Sequence, residues 1–443
     1  MDIKLSESFT YKKLLRFTLP SIVMMVFTSI YGVVDGYFVS NFVGKTPFAA
    51  VNFIMPFLMI LGAIGFMFGT GGSALVSKTM GEGNPEKAKR IFSLLVYVSA
   101  ACAVVIAVLG IALLRPLASL LGAEGEMLEN CVRYGRIILI ALPAYILQFE
   151  FQSFFVTAEK PQLGLAFTVA AGVTNMVLDA LLVAVIPLGL EGAAAATAIS
   201  QAVGGIAPLV YFARPNKSLL RLTKTRFDGK ILLKTCTNGS SELMSNISMS
   251  LVGMLYNVQL MNYAGEDGVA AYGVLMYVNM IFLAAFIGYS VGTAPVIGYH
   301  YGAQNHAELK SLLRKSALII SVFAVCMFAL AEVLARPLAS IFVGYDAGLT
   351  ELTVRAFSIF SFAFLFAGFS IFGSSFFTAL NNGLISAAIS FLRTLVFQIA
   401  AVLILPLIFE IDGIWYSIVV AEVVSVIVTA IFIFAKRKKY GYM

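Results

Sequence analysis

The sequence predicts an all-α integral membrane protein of twelve transmembrane helices, arranged as two pseudo-symmetric six-helix bundles. Hydrophobic residues make up 60% of the 443 residues and charged residues only 12%, whereas soluble domains contain roughly 45–50% apolar and about 25% charged residues. The uncharged runs reach the ~20 residues that a helix needs to cross a bilayer. They lack the polar–apolar alternation of outer-membrane strands, so we interpret them as helices.

The second observation is an internal repeat at a constant offset of 221 residues, the distance from Arg115 to Arg336. The pentapeptide that begins at Arg115 recurs letter for letter at Arg336. The same offset pairs other identical residues: Gly44 with Gly265, Met55 with Met276, Gly71 with Gly292, Gly81 with Gly302, Asn84 with Asn305 and Gly192 with Gly413. Six helices is an even number, so both copies enter the membrane in the same orientation. We therefore predict parallel repeats, which are common in secondary transporters.

The uncharged runs place the helices one by one. We predict transmembrane spans at residues 14–43, 48–77, 91–114, 131–158, 162–187, 191–213, 231–264, 268–299, 312–334, 353–380, 384–409 and 412–435. This predicts an N-terminal domain at 1–213, a cytoplasmic linker at 214–230 and a C-terminal domain at 231–443 with a basic tail. Several spans exceed 25 residues, so we expect these helices to tilt or to project beyond the bilayer.

The basic residues predict the orientation. With these spans, 23 of the 30 Lys and Arg residues fall on the side that holds both termini and the linker, and six fall on the other side. Because basic loops stay inside, we predict cytoplasmic termini in a multi-pass protein of a bacterial cytoplasmic (inner) membrane. The net charge of +7 is spread along one membrane face. This spread favours contact with anionic membrane lipids over a nucleic-acid partner.

Several kinds of chemistry find no support in the sequence. Gly44-Lys45-Thr46 ends like a phosphate-binding loop, but Val39 stands where such a loop requires glycine. The four cysteines show no CxxC spacing, and the two histidines do not make a metal site. No nucleophile–base set appears. We therefore expect no enzyme and no cofactor, and transport energy must come from an ion gradient or from the gradient of the substrate.

Acidic residues inside the predicted helices are the main candidates for function, because a charge at the centre of a bilayer is costly. Asp35 lies deep in the first helix and Asp179 deep in the fifth, one turn after Asn175. The spacing places Asn175 and Asp179 on one helix face, and Thr197 of the sixth helix can add a hydroxyl. Such oxygen ligands suit a hard cation such as Na⁺, or they position an acid that binds H⁺. The alternative is a set of structural hydrogen bonds or ion pairs.

The repeat does not preserve this group. At the 221-residue offset, Asp35 corresponds to Tyr256 and Asp179 to Ala400. We therefore predict one ion site, which lies in the N-terminal half only.

Other polar residues are candidates to line a cavity: Tyr37, Gln148, Glu150 and Arg393. Glu150 can equally be structural, and Arg393 can pair with an acid or extend to the cytoplasmic face. Glu422 can stabilise packing. We interpret Glu242 as lying near the end of a span, where it needs no special role.

Several motifs together resemble the multidrug and toxic compound extrusion (MATE) family over nearly the whole chain. They are 34–39 (VDGYFV), 80–84 (MGEGN), 175–179 (NMVLD), 189–194 (GLEGAA), and 413–415 (GIW) followed by 421–422 (AE). The resemblance implies two six-helix lobes in a V and export of cationic or amphipathic drugs in exchange for H⁺ or Na⁺. In the DinF-like branch it implies coupling through residues that match Asp35, Asn175, Asp179 and Thr197. The acid that the other bacterial branch places in the tenth helix is missing here.

We therefore predict a secondary active multidrug efflux antiporter that works as a monomer and takes drug-like cations or amphipaths. The alternative within the wider superfamily is a flippase for lipid-linked oligosaccharides, although such proteins carry several cavity cations and this chain has only Arg393 as a deep one. A channel or scaffold without coupling would leave the asymmetric acids unexplained.

Overall fold

The computed structural model describes residues 3–443, and within this range the chain forms helices and no strand. Residues 1 and 2 of the predicted N-terminal domain, and the side chain of Lys45, lie outside the described part. The first bundle contains α1 (Tyr11–Phe42), α2 (Lys45–Gly81), α3 (Pro85–Leu120), α4 (Gly125–Thr157), α5 (Pro161–Asp179) and α6 (Gly189–Ala213). The second contains α7 (Gly229–Gly302), α8 (His306–Val343), α9 (Ala347–Phe360), α10 (Phe364–Ala379), α11 (Gly383–Phe391), α12 (Phe397–Ile404) and α13 (Pro406–Tyr440).

Helix α7 crosses the membrane twice. It spans 74 residues, and Gly265 breaks it with φ 63° and ψ −148°. Gly239 in its first half packs against Met67 of α2, and Gly302 in its second half packs against Lys78, also in the C-terminal half of α2. Because both ends of α7 reach the same end of α2, the two halves run in opposite directions. The described part of the chain has 11 continuous helical stretches of membrane-spanning length and composition. With α7 counted as two crossings, they make the predicted twelve.

Two predicted spans contain local irregularities. A π-helix, Ala180–Val185, directly follows Asp179, and another, Leu392–Val396, contains Arg393. Such π segments are rare and frequently occur at functional sites. In the eleventh span, Pro406 interrupts the helical hydrogen bonds between α12 and α13, but Leu405 keeps helical angles and the chain first leaves them at Glu410, with φ 52° and ψ −132°.

The repeat is visible in the contacts of both bundles. Arg115 forms a bidentate ion pair with Glu129 at 2.7 and 3.0 Å, and Arg336 forms the matching pair with Glu351 at 3.0 and 3.4 Å. Asn84 caps α3 and Asn305 caps α8, each through its side-chain oxygen. The repeated pentapeptide and the repeated asparagine thus perform the same local tasks in both copies.

Glycines let the bundles approach closely on one side of the membrane. We call this side the terminal face, because it holds both chain ends and the linker. A methyl group added at Gly81 would lie 2.0 Å from the carbonyl oxygen of Tyr299, and one added at Gly302 would lie 2.0 Å from that of Lys78. These two contacts are exchanged by the 221-residue offset. They therefore lie around the pseudo-two-fold axis and close the terminal face.

The bundles separate toward the opposite face. Added methyl groups at Gly32 and Gly36 of α1, and at Gly253 and Gly273 of α7, would meet no heavy atom within 4 Å. Tyr37 is 58% exposed. The two bundles thus form a V that is closed at the terminal face and open on the other side.

The N-terminal segment, residues 3–10, spans both bundles across the terminal face. The backbone N–H of Leu5 donates to Glu159 of the α4–α5 turn at 2.6 Å, and that of Phe9 donates to Glu308 of α8 at 2.9 Å. Lys315 donates to the carbonyl of Phe9. The side chains of Leu5 and Phe9 are buried. The segment therefore adds contacts between the two bundles at the terminal face.

The docked segment predicts a pH dependence. Burial raises the pKa of Glu159, against the opposing hydrogen bond from Leu5. A group whose folded-state pKa is raised contributes its stability at low pH and loses it as pH rises through that value. We expect the segment to detach more readily at higher pH. A fluorophore on Ser6→Cys, in a variant without the natural cysteines, reports this, and Glu159→Gln should flatten the pH profile. An unchanged profile in Glu159→Gln would assign the dependence to another group.

Candidate functional site

The four predicted ion-site residues come together inside the first bundle. Asp35 lies on α1, Asn175 and Asp179 on the last turns of α5, and Thr197 on α6. The Thr197 hydroxyl lies 3.5 Å from Asp35 Oδ1 and also donates to the carbonyl of Ala193 at 3.1 Å. Asp179 and Asn175 are neighbours of the Asp35 carboxyl.

Burial makes it costly to keep the acids of this site charged. Asp179 is 0% exposed and Asn175 is 2% exposed. Both carboxyl oxygens of Asp179, and the amide oxygen of Asn175, have no hydrogen-bond donor in the described structure, and the Asp35 carboxyl lies within hydrogen-bonding reach of Asp179. The buried carboxylate of Asp179 and the partly buried carboxylate of Asp35 repel each other and lose hydration, so a bound proton or cation must offset their charge. The oxygen-only ligands fit H⁺ or a hard cation such as Na⁺.

Sequence reasoning missed Tyr134, a fourth-helix residue at this site. It is 1% exposed, and its phenol lies among Asp35, Asp179 and Thr197, within hydrogen-bonding reach of the Thr197 hydroxyl. Buried tyrosine hydroxyls usually have a partner, and Thr197 itself lies 3.5 Å from Asp35. The hydroxyl of Tyr134 is therefore placed to support a protonated or cation-bound state of the acids.

The position of the Tyr134 hydroxyl predicts that its removal weakens ion binding. Tyr134→Phe keeps the ring and removes only the hydroxyl, so the fold should remain while the ion-bound state loses one hydrogen bond. Since such a bond contributes about 0.5–1.5 kcal/mol, we expect the apparent affinity for the coupling ion to fall by roughly two- to tenfold. Ion titrations of transport rate test this, with Tyr272→Phe in the second bundle as the control. Equal ion affinity in wild type and Tyr134→Phe would exclude a role for the hydroxyl.

The other cavity candidates occupy different positions. Gln148 is 2% exposed and lies 3.4 Å from the Tyr31 hydroxyl, which links it to the neighbourhood of Asp35. Tyr37 lies on the exposed outer part of α1. Glu150 is 0% exposed; it accepts from Ser99 and lies inside the bundle, not on the open cleft.

The second bundle has a different polar arrangement. Tyr256, which corresponds to Asp35, donates to Gln398 at 2.6 Å, so this position has a satisfied neutral pair. Arg393 does not extend to the membrane surface, since it binds both carboxyl oxygens of Glu422 at 2.9–3.1 Å. Glu242 lies within electrostatic reach of Arg393. It is partly exposed and lies well inside α7, whereas the sequence predicted a position near the end of a span.

Comparisons with known proteins agree with this architecture. The family model described as "MatE" matches residues 20–181 and 243–404, one match in each bundle. The multidrug export protein MepA of Staphylococcus haemolyticus is 28% identical over 323 residues, which cover 72% of this chain and 71% of that protein. MepA of Staphylococcus saprophyticus is 24% identical over 441 residues, covering 98% and 95%.

Solved structures share the fold. A MATE in complex with MaL6 has a TM-score of 0.92 at 22% identity, with 98% of both chains covered. An outward-facing multidrug resistance MATE family transporter of the MOP superfamily has a TM-score of 0.92 at 23% identity, also with 98% of both chains covered. At this identity, the likeness concerns the fold.

Proposed function

Because this chain belongs to the multidrug and toxic compound extrusion (MATE) family, we propose that it is a secondary active antiporter. It exports cationic or amphipathic drug-like compounds in exchange for H⁺ or Na⁺. Its curated relatives are named as multidrug export proteins. The observation that supports coupling most strongly is the neighbouring pair of acids in the first bundle, where Asp179 is buried and Asp35 is partly buried.

The proposed cycle uses two states of the V. With the terminal face closed, the acids are reached from the open side, and a cation binds at Asp35, Asn175, Asp179 and Thr197. Neutralising the acids removes their mutual repulsion and lets α1 repack against α5. This change lowers the affinity of the protein for the bound substrate, which is then released outward. One proton moving down 100 mV supplies about 2.3 kcal/mol, before any contribution from a pH difference.

We further propose that the terminal face is cytoplasmic, in a bacterial inner membrane, and that the protein works as a monomer. The distribution of basic residues supports this orientation. The substrate then enters from the cytoplasm when the terminal face opens. The flippase alternative has less support, since the charge of the deep cation Arg393 is neutralised by Glu422.

Uphill transport into proteoliposomes tests the proposal. Ethidium accumulation is measured with a proton gradient and a sodium gradient imposed separately, and an ionophore that collapses each gradient is the control. We expect accumulation against the ethidium gradient under one of them. Equilibration without accumulation would show a channel, and no ethidium movement by folded protein would refute drug antiport.

A further inference from the structure

Glu242 lies at the bottom of the open V. It follows Gly239 by three residues on α7, which is close to one helical turn. A methyl group added at Gly239 would lie 1.9 Å from the carbonyl oxygen of Met67 in the first bundle. Glu242 therefore faces the first bundle just beyond the closed contact, and it is partly exposed. This places its carboxyl where a molecule in the cleft would rest.

Two further charges lie behind Glu242. The Arg393 side chain is 13% exposed and that of Glu422 is 6% exposed, so exposure falls from the cleft toward the bundle interior. Arg393 donates three hydrogen bonds to Glu422 at 2.9–3.1 Å and also faces Glu242 electrostatically. We call Glu242, Arg393 and Glu422 the floor triad. A guanidinium held in this bidentate geometry keeps its position and its charge.

The floor triad contributes to the charge that the cleft presents. With all three groups ionised, the triad has a net charge of −1. Without Arg393 the same site would have −2, and without the Glu422 charge it would have zero. Charges in a cleft with apolar walls act over long distances because water screens them poorly.

We propose that Arg393 and Glu422 are positioning residues that set the charge selectivity of the cleft, so that it prefers monocations to dications. They act through Glu242, which faces the substrate, and the inference rests on the proposed export of cations. A second role for such a pair is structural, since buried ion pairs can fix helix register. A structural role affects folding and both kinds of substrate equally, whereas a selectivity role changes their ratio.

Ethidium and propidium provide a matched test, because they share one ring system and differ by one positive charge. Binding of each dye to purified protein is measured by fluorescence, followed by export of each dye from proteoliposomes. Arg393→Gln should raise the propidium-to-ethidium affinity ratio about tenfold, as a unit charge roughly 10 Å away implies at an effective dielectric constant of about 20. Glu422→Gln should lower this ratio by a similar factor.

Two controls separate charge from folding. Arg393→Lys keeps the charge and changes the geometry, and the double variant Arg393→Gln/Glu422→Gln restores the net charge of −1 without the ion pair. Both should keep the wild-type ratio. If Arg393→Gln does not fold, the affinity ratios of Glu422→Gln and of the double variant still test the selectivity proposal. Unchanged ratios in the folded variants, with ethidium bound by wild type, would overturn the selectivity proposal alone. Wild-type protein that binds neither dye would overturn it together with the proposed cation export.

Discussion

Gly302→Ala is expected to hold the protein away from the state that is closed at the terminal face. The added methyl group would lie 2.0 Å from the carbonyl oxygen of Lys78, and a backbone atom cannot move aside as a flexible side chain can. Overpacking of this kind costs about 1–3 kcal/mol, which shifts a two-state equilibrium by roughly 5- to 150-fold. Spin labels at Lys87 and Ala307, both exposed on the terminal face, should therefore move apart, and transport should slow.

Gly253→Ala is the matched control for this substitution. Gly253 lies in the same helical element, α7, and an added methyl group there would meet no heavy atom within 4 Å. Its label distances and transport rate should equal those of wild type. If Gly302→Ala also kept the wild-type distances, the glycine contacts would not determine the closed state.

Asp179→Asn is expected to abolish coupling without harming the fold. Asp179 is fully buried, its carboxyl oxygens have no hydrogen-bond donor in the described structure, and the Asp35 carboxyl is its neighbour. An ionised acid at this position therefore destabilises the native protein. The amide removes the charge at nearly constant volume. Functional sites often trade stability for activity in this way. We expect a melting temperature equal to or above that of wild type, together with at least a roughly tenfold loss of gradient-driven export.

Glu150→Gln is the matched control for Asp179→Asn. Glu150 is also fully buried in the first bundle, but Ser99 donates to it and it lies away from the four ion-site residues. Export should continue in Glu150→Gln. Gradient-driven export at the wild-type rate in Asp179→Asn would remove Asp179 from the coupling site, whatever the melting temperature.

The repeat made the general fold predictable. Gly44 and Gly265 correspond at the 221-residue offset, and both adopt positive φ, 109° and 63°, where the chain reverses between helices. The prediction of two spans within the long α7 was therefore confirmed. Acids in apolar helices likewise indicated Asp35 and Asp179, because a buried charge stands out in a sequence where few residues are charged.

Other features depend on packing that a single sequence does not contain. Tyr134 is one of several aromatic residues in apolar helices, and only the packing of α4 against α5 and α6 shows that its hydroxyl lies beside Thr197 and near the acids. Arg393 had two reasonable roles until the neighbouring helix brought Glu422 within 2.9 Å. The π segment after Asp179 has no sequence signal that we recognise.

The most direct test of antiport through the first bundle measures ion movement driven by the substrate alone. Proteoliposomes are prepared with equal pH and equal Na⁺ on both sides, a downhill ethidium gradient is applied, and internal pH and Na⁺ are recorded for wild type and Asp179→Asn. Coupling at Asp179 predicts that in wild type one of these ions moves opposite to ethidium, and that in Asp179→Asn neither ion moves. Ethidium flux without counter-movement of either ion in wild type, or the same counter-movement in Asp179→Asn, would contradict antiport through the first bundle.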